Sequence, residues 1–260
     1  MKDSTMGGLI VLQARVLGAL VLRETRATFG TTQFGYLWAV ITPSASVAVL
    51  VAVFSVIGRQ SPFGSSLALF FATGVLTLEF FNKLSNTLMM TFDANKALLT
   101  YPLIKETDAL FARLILLSAT YLVIMLIFYT GLMLFDLAEW PAYPDVLVQA
   151  FAAIALLGFG FGTLNAVLIS LWESWRHIEK ILTRPLLFVS GIFYIPSNLP
   201  QEIISILEWN PVLHLVEWMR TGYYPNYDSI VLDKTYPLGI AMILILFGLA
   251  GERFYRKNRV

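Results

Sequence analysis

Glu79, Asn82, Lys83 and Asn86 fall at i, i+3, i+4 and i+7, a spacing that puts a carboxylate, an ammonium and two amides on one stripe of one helix. Their neighbours are apolar. An ionisable side chain inside hydrocarbon costs several kcal/mol unless it is paired or hydrated, so the stripe must face protein or water. Glu79 and Lys83 are spaced to pair with each other. The stripe therefore reads either as a helix-packing ion pair or as polar groups along the path of a hydrophilic cargo. Aromatic faces stack on sugar rings, which makes Trp38, Trp172, Trp175, Phe193 and Tyr194 candidates for the same path; the same residues would serve as anchors at headgroup level.

Other chemistry is absent from the sequence. It contains two histidines and no cysteine, and lacks the HExxH, GxSxG and GxxxxGK[ST] patterns. These absences speak against a hydrolase or an intramembrane protease. No metal site is expected, no nucleic-acid surface is implied, and no cofactor is expected in this chain: ATP and its Mg would be bound by another subunit.

The elements that must carry the stripe follow from composition. The chain has 260 residues, of which 57% are hydrophobic and 13% charged, with a mean hydropathy of +0.72, values of the membrane class. About 20 apolar residues cross a hydrocarbon core of roughly 30 Å. Residues 36–58, 114–135 and 146–172 are free of charge, and weaker windows lie at 60–78, 185–201 and 235–251. The expectation is an all-α integral membrane protein forming a single transmembrane domain, 1–260. Its six transmembrane helices are placed at 36–58, 66–91, 107–135, 146–172, 178–196 and 235–254. Lys and Arg gather at the termini and in the even-numbered loops, whereas the odd loops hold Arg59, Arg220 and Lys234, which predicts cytoplasmic termini.

Three further stretches have their own logic. Over 7–31, Arg15 and Arg26 lie about 20° apart on a helical wheel and Arg23 about 80° from Arg15, which predicts an amphipathic helix in the membrane interface or a basic leader before the first span. Arg15 interrupts the apolar run 7–22, so it is read as retained rather than as a signal peptide. Residues 92–106 form a polar pause with a short helix ended before Pro102. From Ile195 to Tyr236 the chain is too polar for a seventh span and too apolar for a free loop. Lipid excludes unsatisfied backbone, so 197–224 is predicted to re-enter the outer leaflet as short helices packed on protein. Gly158 and Gly162 in "GFGFG" predict close helix packing, within the chain or at a dimer seam, and Asn165 is a further pore candidate.

Four blocks, "RETRATFGTTQFGYLWAVITP" (23–43), "ANKALLTYPLIKETDALFARL" (94–114), "SGIFYIPSNLP" (190–200) and "WNPVLHLVEWMRTGYYPNY" (209–227), resemble the membrane subunit of bacterial ABC exporters for capsular polysaccharide. The resemblance implies a homodimer joined to two copies of a separate ATPase subunit. Such an exporter moves a lipid-linked polysaccharide from the inner membrane of the cell toward periplasmic and outer-membrane export proteins. By the same resemblance 92–106 is the coupling loop, with Asp93, Asn95, Lys96, Tyr101, Lys105 and, from the second inner loop, Arg176 as ATPase contacts. The path would add Arg113 to Glu79, Lys83, Trp38, Trp172 and Tyr194. The periplasmic gate would hold Trp209, Asn210, Pro211, Trp218 and Arg220. A permease for O-antigen, teichoic acid or another lipid or drug, and a polytopic scaffold or enzyme without an ATPase, remain the alternatives.

Overall fold

A computed structural model describes residues 6–30, 34–96 and 105–257. The elements are α1 (Met6–Phe29), α2 (Phe34–Val56), α3 (Leu67–Met89), α4 (Thr91–Ala94), α5 (Glu106–Leu134), α6 (Pro144–Leu171), α7 (Trp175–Thr183), α8 (Leu186–Val189), a 3-10 turn (Pro196–Asn198), α9 (Gln201–Leu207), α10 (Pro211–Tyr223) and α11 (Thr235–Lys257). No strand occurs among the described residues. Local chemistry sets several starts. The Ser66 hydroxyl accepts from Leu69 N–H to cap α3, Asn210 accepts from Val212 N–H to cap α10, and prolines occupy the first turn of α6 and α10, where no donor is needed.

Five helices are long and apolar enough to cross a membrane: Leu37–Val56, Leu67–Met89, Glu106–Leu134, Pro144–Leu171 and Thr235–Phe254. They match the expected spans one to four and six. The fifth expected span, 178–196, is not one helix. Pro185, which has no N–H to donate, separates α7 from α8, and the chain then turns through Gly191 at φ +74. Windows of α3 and α6 are 72% and 67% buried, those of α2 and α11 only 11% and 22%, so α3 and α6 form the centre and α2 and α11 the periphery.

Glycines let the central helices meet. A methyl at Gly158 would sit 3.0 Å from Leu84, and one at Gly162 would sit 2.5 Å from Leu88, both on α3. One at Gly160 would meet the Ala241 carbonyl of α11 at 2.9 Å, and one at Gly251 the Val167 side chain at 3.0 Å. The GxxxG pair thus packs within the chain, against α3, and Gly160 serves the opposite face. Because 84 and 88 advance with 158 and 162, and 241 and 251 with 160 and 167, α3, α6 and α11 run parallel. α5 and α2 run the other way: Phe80 stacks on Tyr121 at 4.9 Å while Arg113 reaches Thr87, and Phe54 meets Phe71 at 5.0 Å.

Parallel α6 and α11 oblige the chain between them to return along the bundle. Thr183, Arg184 and Leu187 share a cavity with Asn86, Asn82 and Leu78, and Phe193 meets Phe71 at 6.2 Å, so 175–195 climbs beside α3. α10 then ends at the far end of α6, where a methyl at Gly222 would approach Leu147 at 2.8 Å and Tyr143 N–H donates to the Gly222 carbonyl at 2.9 Å. One end of the bundle carries Arg23, Lys96, Arg176 and Arg253; the other carries Asp136, Glu139 and Asp145. At the basic end α1 lies against α5, with Glu24 paired to Arg113; Leu20 is buried, and Val11, Leu12 and Leu22 are exposed.

Candidate functional site

The polar stripe of α3 lines two adjoining cavities of about 510 and 800 Å³, one closed by α2 and α5, the other by α2, Arg184 and Leu187. Both contain Trp38, Glu79, Asn82 and Asn86; Lys83 lines the first. Glu79 and Lys83 do not pair with each other: Glu79 is half-buried, and Lys83 is exposed and makes no ion pair among the described residues. The Asn86 amide donates to the Asn82 carbonyl at 2.8 Å, and the Asn82 side-chain oxygen is buried without a donor. α2 closes this space loosely, with Pro43 in its interior and the hydroxyls of Thr42 and Ser46 turned back onto carbonyls one turn earlier. Of the expected path, Trp38, Glu79 and Lys83 come together. Trp172 is exposed where α6 ends, Tyr194 sits at the opposite end and accepts from Arg220, and Asn165 accepts from the Trp175 indole at 2.9 Å.

Arg113 lies elsewhere, only 8% exposed at the start of α5. It donates to Glu24 of α1 at 3.1 Å, to the Thr87 carbonyl of α3 at 2.8 Å and to the Thr91 hydroxyl of α4 at 3.2 Å. Arg23 donates to Glu24 at 2.7 Å and to the Asn95 side chain, and Asn95 in turn donates to the Thr91 carbonyl at 3.0 Å. Gln13 donates to Asp108 at 2.5 Å, and Asp108 accepts from Lys105 N–H at 3.2 Å, which holds the entry to α5. Around this knot Asp93 and Lys96 are exposed, and Asp93 pairs with Arg176 of α7 at 3.1 Å. Asn95, expected on the surface, is buried. Tyr101 lies outside the described residues. Glu24 was missed by sequence reasoning, although it is the one acidic residue within α1.

At the acidic end a second buried group fixes α10. Arg220 is fully buried (0% exposed), with its guanidinium 4.0 Å from the Phe70 ring, 3.2 Å from Glu217, and donating to the carbonyls of Ile192 at 3.4 Å and Tyr194 at 3.3 Å. Glu217 also accepts from Tyr227 at 2.9 Å and Ser229 at 2.6 Å, and burial raises the Tyr227 hydroxyl above its ordinary pKa. Asn210 donates to the Val189 carbonyl at 3.2 Å and the Ser190 hydroxyl at 3.0 Å, Pro211 follows in the first turn, and Trp218 is buried under Lys234. Trp209 alone of the expected gate is exposed. Asp233, beyond α10, is held below the usual carboxylate pKa by the Thr235 hydroxyl and N–H.

Relatives cover almost the full chain. It is 29% identical to the polysialic acid transport protein KpsM of Escherichia coli over 243 residues, 92% of this chain and 93% of that protein. It is 24% identical to the capsule polysaccharide export inner-membrane protein CtrC of Neisseria meningitidis serogroup A over 249 residues, 96% of this chain and 94% of that protein. It is 25% identical to BexB of Haemophilus influenzae, which bears the same description, over 253 residues, 96% of this chain and 94% of that protein. Residues 15–224, which hold Glu24 and Arg113, the striped α3 and the whole of α10, match the sequence model of the ABC-2 type transporter, and the chain belongs to that family.

Proposed function

We propose that this protein is the permease subunit of an ATP-driven exporter that carries lipid-linked capsular polysaccharide from cytoplasm to periplasm. The observation that carries the reading is the alignment of capsule polysaccharide export inner-membrane proteins over 92–96% of the chain. The permease resides in the inner membrane, works as a homodimer with a channel at its two-fold seam, and binds two copies of an ATPase subunit. Periplasmic and outer-membrane export proteins receive the chain. Six crossings with both termini in the cytoplasm fit the excess of Lys and Arg at one end of the bundle and the parallel course of α6 and α11, with α7, α8 and 190–195 as a broken fifth crossing. α1 then lies along the cytoplasmic interface, and 197–224 re-enters from the periplasm.

In this reading Asp93, Lys96, Lys105 and Arg176 offer a charged surface to the ATPase, and Asn95 supports it from behind. Trp38, Glu79 and Lys83 offer a stacking face and hydrogen-bonding groups to passing sugars, while α10, clamped by Arg220, limits how far the periplasmic side opens. The test is ATP hydrolysis and glycan export by this protein with its cognate ATPase in lipid nanodiscs, comparing the native chain with an Asp93→Ala, Lys96→Ala, Lys105→Ala variant. Co-purification, with hydrolysis uncoupled from export in the variant, is expected. Failure of the native chain to form a stable pair overturns the reading.

A further inference from the structure

A densely bonded buried polar group lies at the basic end, away from the polar stripe of α3. Arg113 uses Nε on Glu24 and Nη1 on both the Thr87 carbonyl and the Thr91 hydroxyl, so one guanidinium joins α1, the end of α3, the start of α4 and α5. The Thr87 carbonyl belongs to the last turn of α3, where carbonyls lose their helical partners, and a cation there is doubly favoured. Between α3 and α4 the helix is interrupted at Met90, whose dihedrals (φ −91, ψ 6) leave the α region, so α4 could pivot on α3 at one residue. Glu24 closes that freedom. It neutralises Arg113 and takes Arg23, which holds the Asn95 side chain just beyond α4. Asn95 is itself anchored on Thr91, so the short helix is gripped at both ends.

We infer that the Glu24–Arg113 pair is a positioning clamp that makes α1, α4 and the adjoining ends of α3 and α5 move as one body, so that a displacement of the 92–96 loop reaches the bilayer helices. The inference rests on the proposed role of that loop as the ATPase contact. With the carboxylate removed, Arg113 and Arg23 face each other without a counter-charge, nothing holds Arg23 toward Asn95 and Arg113 at once, and the loop yields at Met90 instead of transmitting.

The experiment compares Glu24→Gln, Arg113→Lys and, as a purely destabilising control in the core of α6, Ile154→Ala, whose side chain is fully buried, in the complete complex with ATPase in nanodiscs. Three quantities are read: co-purified ATPase, ATP hydrolysis rate, and glycan exported per ATP. For Glu24→Gln the complex assembles, hydrolysis stays within about twofold of native, and export per ATP falls about tenfold or more. Arg113→Lys, which keeps the charge but loses the fork, falls by less. Ile154→Ala lowers the yield of folded complex but leaves export per ATP in the surviving fraction unchanged. An unchanged ratio in Glu24→Gln overturns the clamp, as does a loss in Glu24→Gln that is matched by Ile154→Ala, which would mark general destabilisation. If the native chain does not pair with an ATPase at all, the loop assignment fails first.

Discussion

Replacing Glu217 by Gln removes one charge and almost no volume from the buried group that holds α10. Arg220 then keeps its carbonyl partners at Ile192 and Tyr194 and its place over Phe70, but has no counter-ion in a fully buried site. Tyr227 and Ser229 lose the carboxylate that takes both of their hydroxyls. Breaking a buried pair by removing one partner costs about 3–5 kcal/mol, which for a chain of this size lowers the unfolding midpoint by roughly 10 °C. The assay is thermal unfolding in nanodiscs, followed by intrinsic tryptophan fluorescence because Trp218 lies one residue from Glu217. A double variant, Glu217→Gln with Arg220→Met, removes the orphaned cation and recovers part of the loss. If the single change shifts the midpoint by less than about 2 °C, water reaches Arg220 and the cluster is not the anchor of α10. If the double variant is worse than the sum of both single changes, the two residues are not acting as a pair.

Three other outcomes follow from the same geometry. Gly162→Ala forces a methyl to within 2.5 Å of Leu88 and 2.9 Å of the Ser85 carbonyl, so it destabilises by about 1–3 kcal/mol, whereas Gly18→Ala, with open space around it, is neutral or slightly stabilising in the same unfolding assay. Asn210→Ala removes the cap of α10 together with its donors to Val189 and Ser190, costs about 1–2 kcal/mol, and speeds amide exchange at 212–214. Lys83→Gln leaves folding unchanged, since Lys83 is exposed, and lowers export of an acidic glycan severalfold; unchanged export would remove Lys83 from the path.

Long charge-free runs were legible because their signal is local: one helix of the right length needs no knowledge of its neighbours. The same locality made 178–196 read as one unbroken helix, which it is not. Pro185 ends the run of α7, and Ser190 and Gly191 end α8 in a turn, while the return of the chain along the bundle follows only from the parallel packing of α6 and α11. Glu24 and Arg113 were hidden for a related reason. They are 89 positions apart, so no helical spacing links them, and a lone arginine at a span boundary resembles one that snorkels to the headgroups. Glu79 and Lys83 err in the opposite direction: their i, i+4 spacing suggests a pair, but Glu79 meets Ser46 of α2 across the cavity and Lys83 is exposed.

The two buried arginines sit on the same rod. Arg113 holds Thr87 near one end of α3, and Arg220 lies over Phe70 and beside Gly74 near the other, roughly 20 Å away along the axis at 1.5 Å per residue. Between them α3 is packed on α6 through Gly158 and Gly162 with no slack, so a shift imposed at α4 cannot be absorbed by bending within that stretch. Compliance is left to α2, which is 11% buried, carries Pro43, and meets α3 through Val47 and Phe54 beside two cavities. The helix that faces the polar stripe is therefore the one free to move while the stripe itself stays fixed. Amide exchange should rank accordingly, with α3 and α6 slowest and α2 fastest among the membrane-crossing helices. Equal protection of α2 and α3 would mean that the cavities are closed by a partner subunit in the working complex and that the moving element lies elsewhere.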